Sequence, residues 1–252
     1  MSSGEKSHVR LTYKRNASDI TWIYRVDEEI LRSAQTWLAL QNTVPTAEIL
    51  ADWFHKNGAA LNCATGPSYI SRDADGSIEE RYCRDGLEHR DDGPAYSWRR
   101  SNGATSEEYR RMGKLHRDDG PAVTVRHANG SIIEEYYRDG LPHRLDGPAV
   151  VARYINGGRV ERYYRNGKSH RDDGPANIER RSDGSAVDEY YRDGKLHRED
   201  GPADIRREAD GWSIKRYYRE DKLIKTERLL EITAISGVSF TRNPEVGPSP
   251  AP

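Results

Sequence analysis

Five histidines recur at 27-residue intervals, His89, His116, His143, His170 and His197, each followed by an arginine and one or two acidic residues. An imidazole beside carboxylates is the raw material of acid–base catalysis and of metal ligation. The spacing speaks against a shared metal. If each interval contributes two strands, equivalent histidines stand roughly 9 to 10 Å apart. Two ligands about 2.1 Å from one zinc must lie within about 4 Å of each other. The histidines are therefore assigned a structural role, bonded to loop backbone or to aspartate, with no metal and no cofactor expected. The same reasoning covers the paired carboxylates Asp91-Asp92, Asp118-Asp119 and Asp172-Asp173. An enzyme needs one site, whereas repeated Asp pairs are turn formers and Asx caps. With no Gly-rich phosphate loop and no Ser/His/Asp or Cys/His spacing elsewhere, no catalytic residue is assigned, and a non-enzymatic role is expected.

Binding is the alternative chemistry. Arg72, Arg99, Arg126, Arg153, Arg180 and Arg207 form one series, Tyr82, Tyr109, Tyr136, Tyr163, Tyr190 and Tyr217 a second, and Arg84, Arg111, Arg138, Arg165, Arg192 and Arg219 a third. Glu80, Glu107, Glu134, Glu161 and Asp188 run between them. Guanidinium rows with aromatic rings suit RNA or another anionic ligand, although the Glu series cancels much of that field. Departures from the series are the better sign of protein recognition. Tyr96 and Trp98 replace aliphatic or polar residues of other copies, and Trp212 adds a bulky residue near a hairpin tip. The candidate partner-binding residues are thus Tyr96, Trp98 and Trp212, with Arg84, Arg111, Arg138, Arg165 and Arg192.

The elements that position these residues follow from punctuation. Gly-Pro pairs begin at Gly66, Gly93, Gly120, Gly147, Gly174 and Gly201, and a second glycine, preceded by Asp or Asn, follows ten residues later at Gly76, Gly103, Gly130, Gly157, Gly184 and Gly211. Between them lie strand-forming runs such as Ala122 to Arg126 and Ile132 to Arg138. One repeat therefore reads as one β-hairpin plus a return loop of the form His116 to Pro121, and the six copies as about twelve strands. In Ala128-Asn129-Gly130 and Ser182-Asp183-Gly184 the turn fits a three-residue loop, a type I turn closed by a left-handed glycine. That register pairs Arg126 with Ile132, Thr124 with Glu134 and Ala122 with Tyr136. It sets the recurring residues on one face, with rings, guanidinium groups and carboxylates stacked across strands.

The run Tyr190 to Ala203, Tyr-Tyr-Arg-Asp-Gly-Lys-Leu-His-Arg-Glu-Asp-Gly-Pro-Ala, resembles the bacterial and phage variant of the MORN repeat, as in antitoxin-like MORN proteins. The resemblance covers about Asp52 to Lys225. It implies a mainly β chain, an elongated single-sheet meander of tandem hairpins, that serves as an interaction scaffold, an inhibitor or adaptor occluding a protein target. Residues 1–51 read as a small α/β cap: a hairpin, Val9 to Arg15 with Asp19 to Arg25, then a helix capped by Asp27 with a stripe of Ile30, Ala34, Trp37 and Leu38. That helix is expected over the first sheet edge. Ile49 to Gly58 aligns with the second strand of the repeat as a decayed half copy. Residues 226–242 read as a C-terminal cap, in which Leu229 to Phe240 forms a strand or short helix, and 243–252 as a disordered tail.

Composition agrees with a thin, extended architecture. Of 252 residues only 35% are hydrophobic and 32% are charged, with 15 Tyr against two Phe, and mean hydropathy is -0.96. Lys and Arg total 40 against 41 acidic residues, so there is no general pull toward nucleic acid or membrane. Two cysteines, Cys63 and Cys83, make no disulfide scaffold, and Met1 to Arg10 carries no hydrophobic signal segment. These features lead to an expectation of a cytoplasmic protein with a protein partner, no membrane, and homodimerisation through exposed sheet edges as an option.

Overall fold

In a computed structural model describing residues 7–15, 17–26, 28–41, 43–57, 59–61, 66–233 and 239–241, the chain is mainly β, built of antiparallel hairpins with two helices near the N-terminus. It divides into two compact units, Met1–Leu141 and Pro142–Pro252.

Each repeat makes two hairpins, not one. In the copy beginning at Gly93, the strands Tyr96–Arg99 and Thr105–Glu108 pair with each other and with their neighbours in the main sheet. Arg110–Arg111 and Lys114–Leu115 then form a separate two-stranded sheet. The run expected as one strand from Ile132 to Arg138 is accordingly broken at Tyr136 into Ile132–Glu135 and Tyr137–Arg138. The tyrosine at this break turns its backbone to the next copy: the N–H of Tyr109 donates to the carbonyl of Ala122 at 2.7 Å. The ladder between the two long strands ends at Val123 with Glu135, so the expected pairing of Ala122 with Tyr136 is not part of it.

Turn chemistry explains both hairpins. At the tips, His127 N–H donates to Ser131 O and Gly130 N–H to His127 O, both at 2.9 Å, with Gly130 at φ +88. This is the three-residue turn closed by left-handed glycine, and it gives the expected pairs Arg126 with Ile132 and Thr124 with Glu134. The Asn129 Oδ1 accepts the Ser131 N–H at 2.9 Å, which is why Asn or Asp stands there. The second hairpin turns on Asp85-Gly86, Met112-Gly113, Asp139-Gly140, Asn166-Gly167 and Asp193-Gly194, with both residues of each pair at positive φ. That is a type I′ turn, for which Asp-Gly and Asn-Gly are the strongest short sequence signal.

In the first unit, six repeat strands follow the hairpin β1 (Ser7–Arg15) and β2 (Ser18–Val26), which pair in unbroken register from Ser7 with Val26 to Arg15 with Ser18. β2 also pairs with the first repeat strand, Tyr69–Arg72. The hairpin, and not a helix, therefore occupies the first edge of the repeats. The helices α1 (Glu28–Ala39) and α2 (Ala47–Lys56) cover the hairpin, whose Tyr24 and Val26 join Ala34, Ala51 and Phe54 in the apolar core. Tyr24 and Phe54 stack with ring centres 5.2 Å apart. On α1, Ala34 is buried, Ile30 and Trp37 are half-buried, and Leu38 is exposed, while the expected Asp27 cap lies outside the described residues.

The strand expected from Ile49 to Gly58 is α2. Thr46 accepts the Ile49 N–H at 3.3 Å as its N-cap, and Leu50, Ala51, Trp53 and Phe54 recur at helical spacing. The cap therefore extends past residue 51.

In the second unit six repeat strands, from Val150–Arg153 to Trp212–Arg219, again pair antiparallel in chain order. Here the last copy differs: Trp212–Arg219 runs on as one strand, and the break survives as a register shift between Tyr217 and Tyr218. Lys222–Thr233 closes against it and pairs with Ser239–Thr241, so the described residues of the C-terminal cap are β. Residues 243–252 lie outside the described residues.

Candidate binding surface

The histidines join successive copies. His116 is buried; its Nδ1 accepts the N–H of Asp139 at 3.1 Å and its Nε2 lies 3.3 Å from Asp118. His170 does the same with Asp193 at 3.1 Å and Asp172 at 3.0 Å, and His89 accepts from Met112 at 3.1 Å. Each donor is the left-handed residue of the type I′ turn in the following copy, so the imidazole secures one short hairpin to the next loop. In one copy the pattern is incomplete. His143 accepts from Asn166 at 3.1 Å, but Leu145 stands where the other copies carry an acid, and among the described residues its Nε2 has no hydrogen-bond partner. No group of three or more His, Cys, Asp or Glu among the described residues is arranged to hold a metal ion.

The rest of the return loop is equally specific. Arg117 lies with Cζ 3.8 Å from the Tyr109 ring centre, and Arg171 lies 4.0 Å over Tyr163. Arg117 also donates to Asp119 at 2.8 Å and to the Pro121 carbonyl at 3.4 Å. A Cβ on Gly120 would stand 3.2 Å from that guanidinium, so a larger residue there would push the arginine side chain aside by a few tenths of an ångström. The stacked rings and arginines expected from the sequence are thus real, but the partner of the Tyr series is the loop arginine and not a sheet row.

Except for Arg219, which ends a main-sheet strand, the third arginine series lies off the main sheet, in the short hairpins, and its charges are met. Arg84 donates to Asp91 at 2.6 Å, Arg111 to Asp118 at 3.4 Å and Arg165 to Asp172 at 2.7 Å. Arg138 lies 3.7 Å from Asp118 and Arg192 lies 3.5 Å from Glu199. Arg84 holds the Asp91 carboxyl below the ordinary range, Arg165 and then His170 do so for Asp172, and His116 leads the same effect on Asp118. Open clefts lie between consecutive loops, one of about 550 Å³ at Arg90 to Asp119 in the first unit and one of about 460 Å³ at Arg144 to Asp173 in the second. Cations and carboxylates alternate along their walls.

The two faces of the main sheet differ. Side chains alternate along a strand, so the register puts Thr124, Arg126, Ile132 and Glu134 on one face and Val123, Val125, Ile133 and Glu135 on the other. The recurring Arg and Glu series occupy the first face. On the second face each copy is different: Tyr69, Ser71, Glu79 and Arg81, then Tyr96, Trp98, Ser106 and Glu108, then the four residues just named. Tyr96 and Trp98 are brought together here. Arg81 bridges two rings, with Cζ 5.5 Å from the centre of Tyr69 and 5.0 Å from that of Tyr96, and Arg100 lies 5.1 Å over Trp98. Tyr69 continues the row to Trp22 at 4.6 Å, which packs at 4.8 Å on His55 of α2. Tyr69 therefore belongs to the packing of the cap, with Tyr96 and Trp98 beyond it. Sequence reasoning did not single out Tyr69, Arg81 or Arg100; the alternation of variable positions against a constant series would have found them. Trp212 lies in the second unit, where Arg228 stacks 4.5 Å over its ring.

No family model and no curated protein matches the chain. Among solved structures it is similar to the SAS-4 (dCPAP) TCP domain of Drosophila melanogaster in complex with a proline-rich motif of Ana2, at 16% identity and a TM-score of 0.30, over 72% of this chain and 87% of that one. It is also similar to the TCP10 domain of Danio rerio CPAP in complex with a STIL peptide, at 16% identity and a TM-score of 0.23, over 66% of this chain and 96% of that one. Among the described residues no helix is long and apolar enough to cross a membrane.

Proposed function

We propose that the chain is a non-enzymatic binding module that recognises another protein through the variable face around Tyr96 and Trp98. In keeping with the resemblance to antitoxin-like MORN repeats, it acts as a bacterial or phage inhibitor or adaptor that occludes its target. The observation that carries this reading is the contrast between the faces. One carries the recurring Arg and Glu series, as a packing solution does, and the other has no residue constant across the copies and concentrates half-buried aromatic rings and arginines, the residue types of interface hot spots. The charged loops favour protein over nucleic acid, because Asp91, Asp118 and Asp172 stand against the arginines a phosphate would need.

Tagged chain is used to capture partners from native lysate with and without nuclease, and the captured protein is then titrated. Combined Tyr96→Ala and Trp98→Ala substitution is expected to weaken binding about 30-fold or more, roughly the loss of one strong hot spot. Arg126→Ala, on the constant face, is expected to leave it within a few-fold. A nuclease-sensitive catch, or loss with Arg126→Ala alone, overturns the proposal.

A further inference from the structure

We propose that the outer edge of β1 is a docking edge for an extended acidic segment of another protein, which adds to the sheet as one more strand. β1 is nine residues long and its register with β2 has no bulge. Among the described residues it is paired with β2 alone, leaving its other side with backbone donors and acceptors that an incoming strand satisfies. The two faces specify that strand. Val9, Leu11 and Tyr13 lie against the core under the helices, so the added strand turns apolar residues that way. Arg10, Thr12 and Lys14 face the opposite side and are exposed, where alternate acidic residues of the added strand lie across from the cations. On that side the carboxylate already close by is Asp19, 3.8 Å from Lys14 in an exposed pair that a closer partner displaces, whereas Glu48, 3.4 Å from Arg15, stands on the helix side. Self-pairing is disfavoured, because an antiparallel second copy centred on this segment sets Arg10 and Lys14 against cations.

The probe is a fluorescent acetylated peptide, Glu-Val-Glu-Leu-Glu-Val-Glu amide, titrated into the full chain by anisotropy, with amide exchange followed at Ser7–Arg15. The expected result is binding that slows exchange in that segment and weakens with salt. Arg10→Ala with Lys14→Ala should lower affinity roughly tenfold, and N-methylation of alternate peptide residues should abolish binding. Because this edge is separate from Tyr96 and Trp98, their alanine variants should bind the peptide normally. Absence of binding, binding indifferent to N-methylation, or a concentration-dependent dimer that protects Ser7–Arg15 without peptide overturns the proposal.

Discussion

His143 and Leu145 show how one residue changes the return loop. In the other copies an acid two residues after the histidine faces Nε2, whereas Leu145 is 78% exposed and offers nothing to the buried ring nitrogen. Leu145→Asp is therefore expected to raise the thermal midpoint, and Asp172→Leu, its mirror in the next copy, to lower it; differential scanning calorimetry on both decides. The other ring nitrogen carries more. His116→Ala removes the acceptor of the Asp139 N–H and should cost about 0.5–1.5 kcal/mol in chemical denaturation, the range for one intramolecular hydrogen bond exchanged for water.

Among the elements, the two hairpins of each repeat depend on different residues. Gly130→Ala places a Cβ at φ +88 and should cost about 1 kcal/mol at a tip that otherwise keeps its contacts. The N-terminal cap rests instead on apolar burial. Phe54, 2% exposed in the core, should cost about 3–5 kcal/mol when replaced by alanine, with loss of near-ultraviolet circular dichroism from the aromatic cluster Tyr24, Trp22 and Trp53. The tip turns were legible in the sequence because Asn-Gly and Asp-Gly act locally. The second hairpin was equally legible at Asp139-Gly140, but a reading that ran one strand from Ile132 to Arg138 passed over it. In α2 a β-like alignment with the repeat stood against helical spacing, and the helix forms with Thr46 as its cap and Leu50, Ala51, Trp53 and Phe54 packed in the core.

At the scale of the whole molecule, surface carboxylates couple fold to pH. Asp91, Asp118, Asp119, Asp172 and Asp173 all titrate below the ordinary aspartate range, chiefly through hydrogen bonds from arginine or histidine. Their folded values are depressed, so the stability they contribute is fully present above the unfolded value near about pH 3.9 and is lost as pH falls through the folded values. The contribution of these carboxylates to the thermal midpoint should hold down to about pH 4, then fall below it. Because these groups are exposed, about 1 M salt should flatten the fall. A midpoint indifferent to pH below about 4 would remove the loop ion pairs from any role in stability.

Sequence alone determined the 27-residue period, the twelve repeat strands of the main sheet and the tip register, since each depends on local turn chemistry or on spacing along the chain. Tertiary structure decided which partner each repeated side chain meets. Tyr82, Tyr109, Tyr163 and Tyr190 lie under the loop arginines, and each histidine is held to a turn 23 residues further on. It also decided that the hairpin β1 and β2, not the helix, takes the first edge, and that Tyr96 and Trp98 share the varying face with Arg81. These outcomes depend on contacts between residues far apart in the chain, where neither periodicity nor propensity carries information.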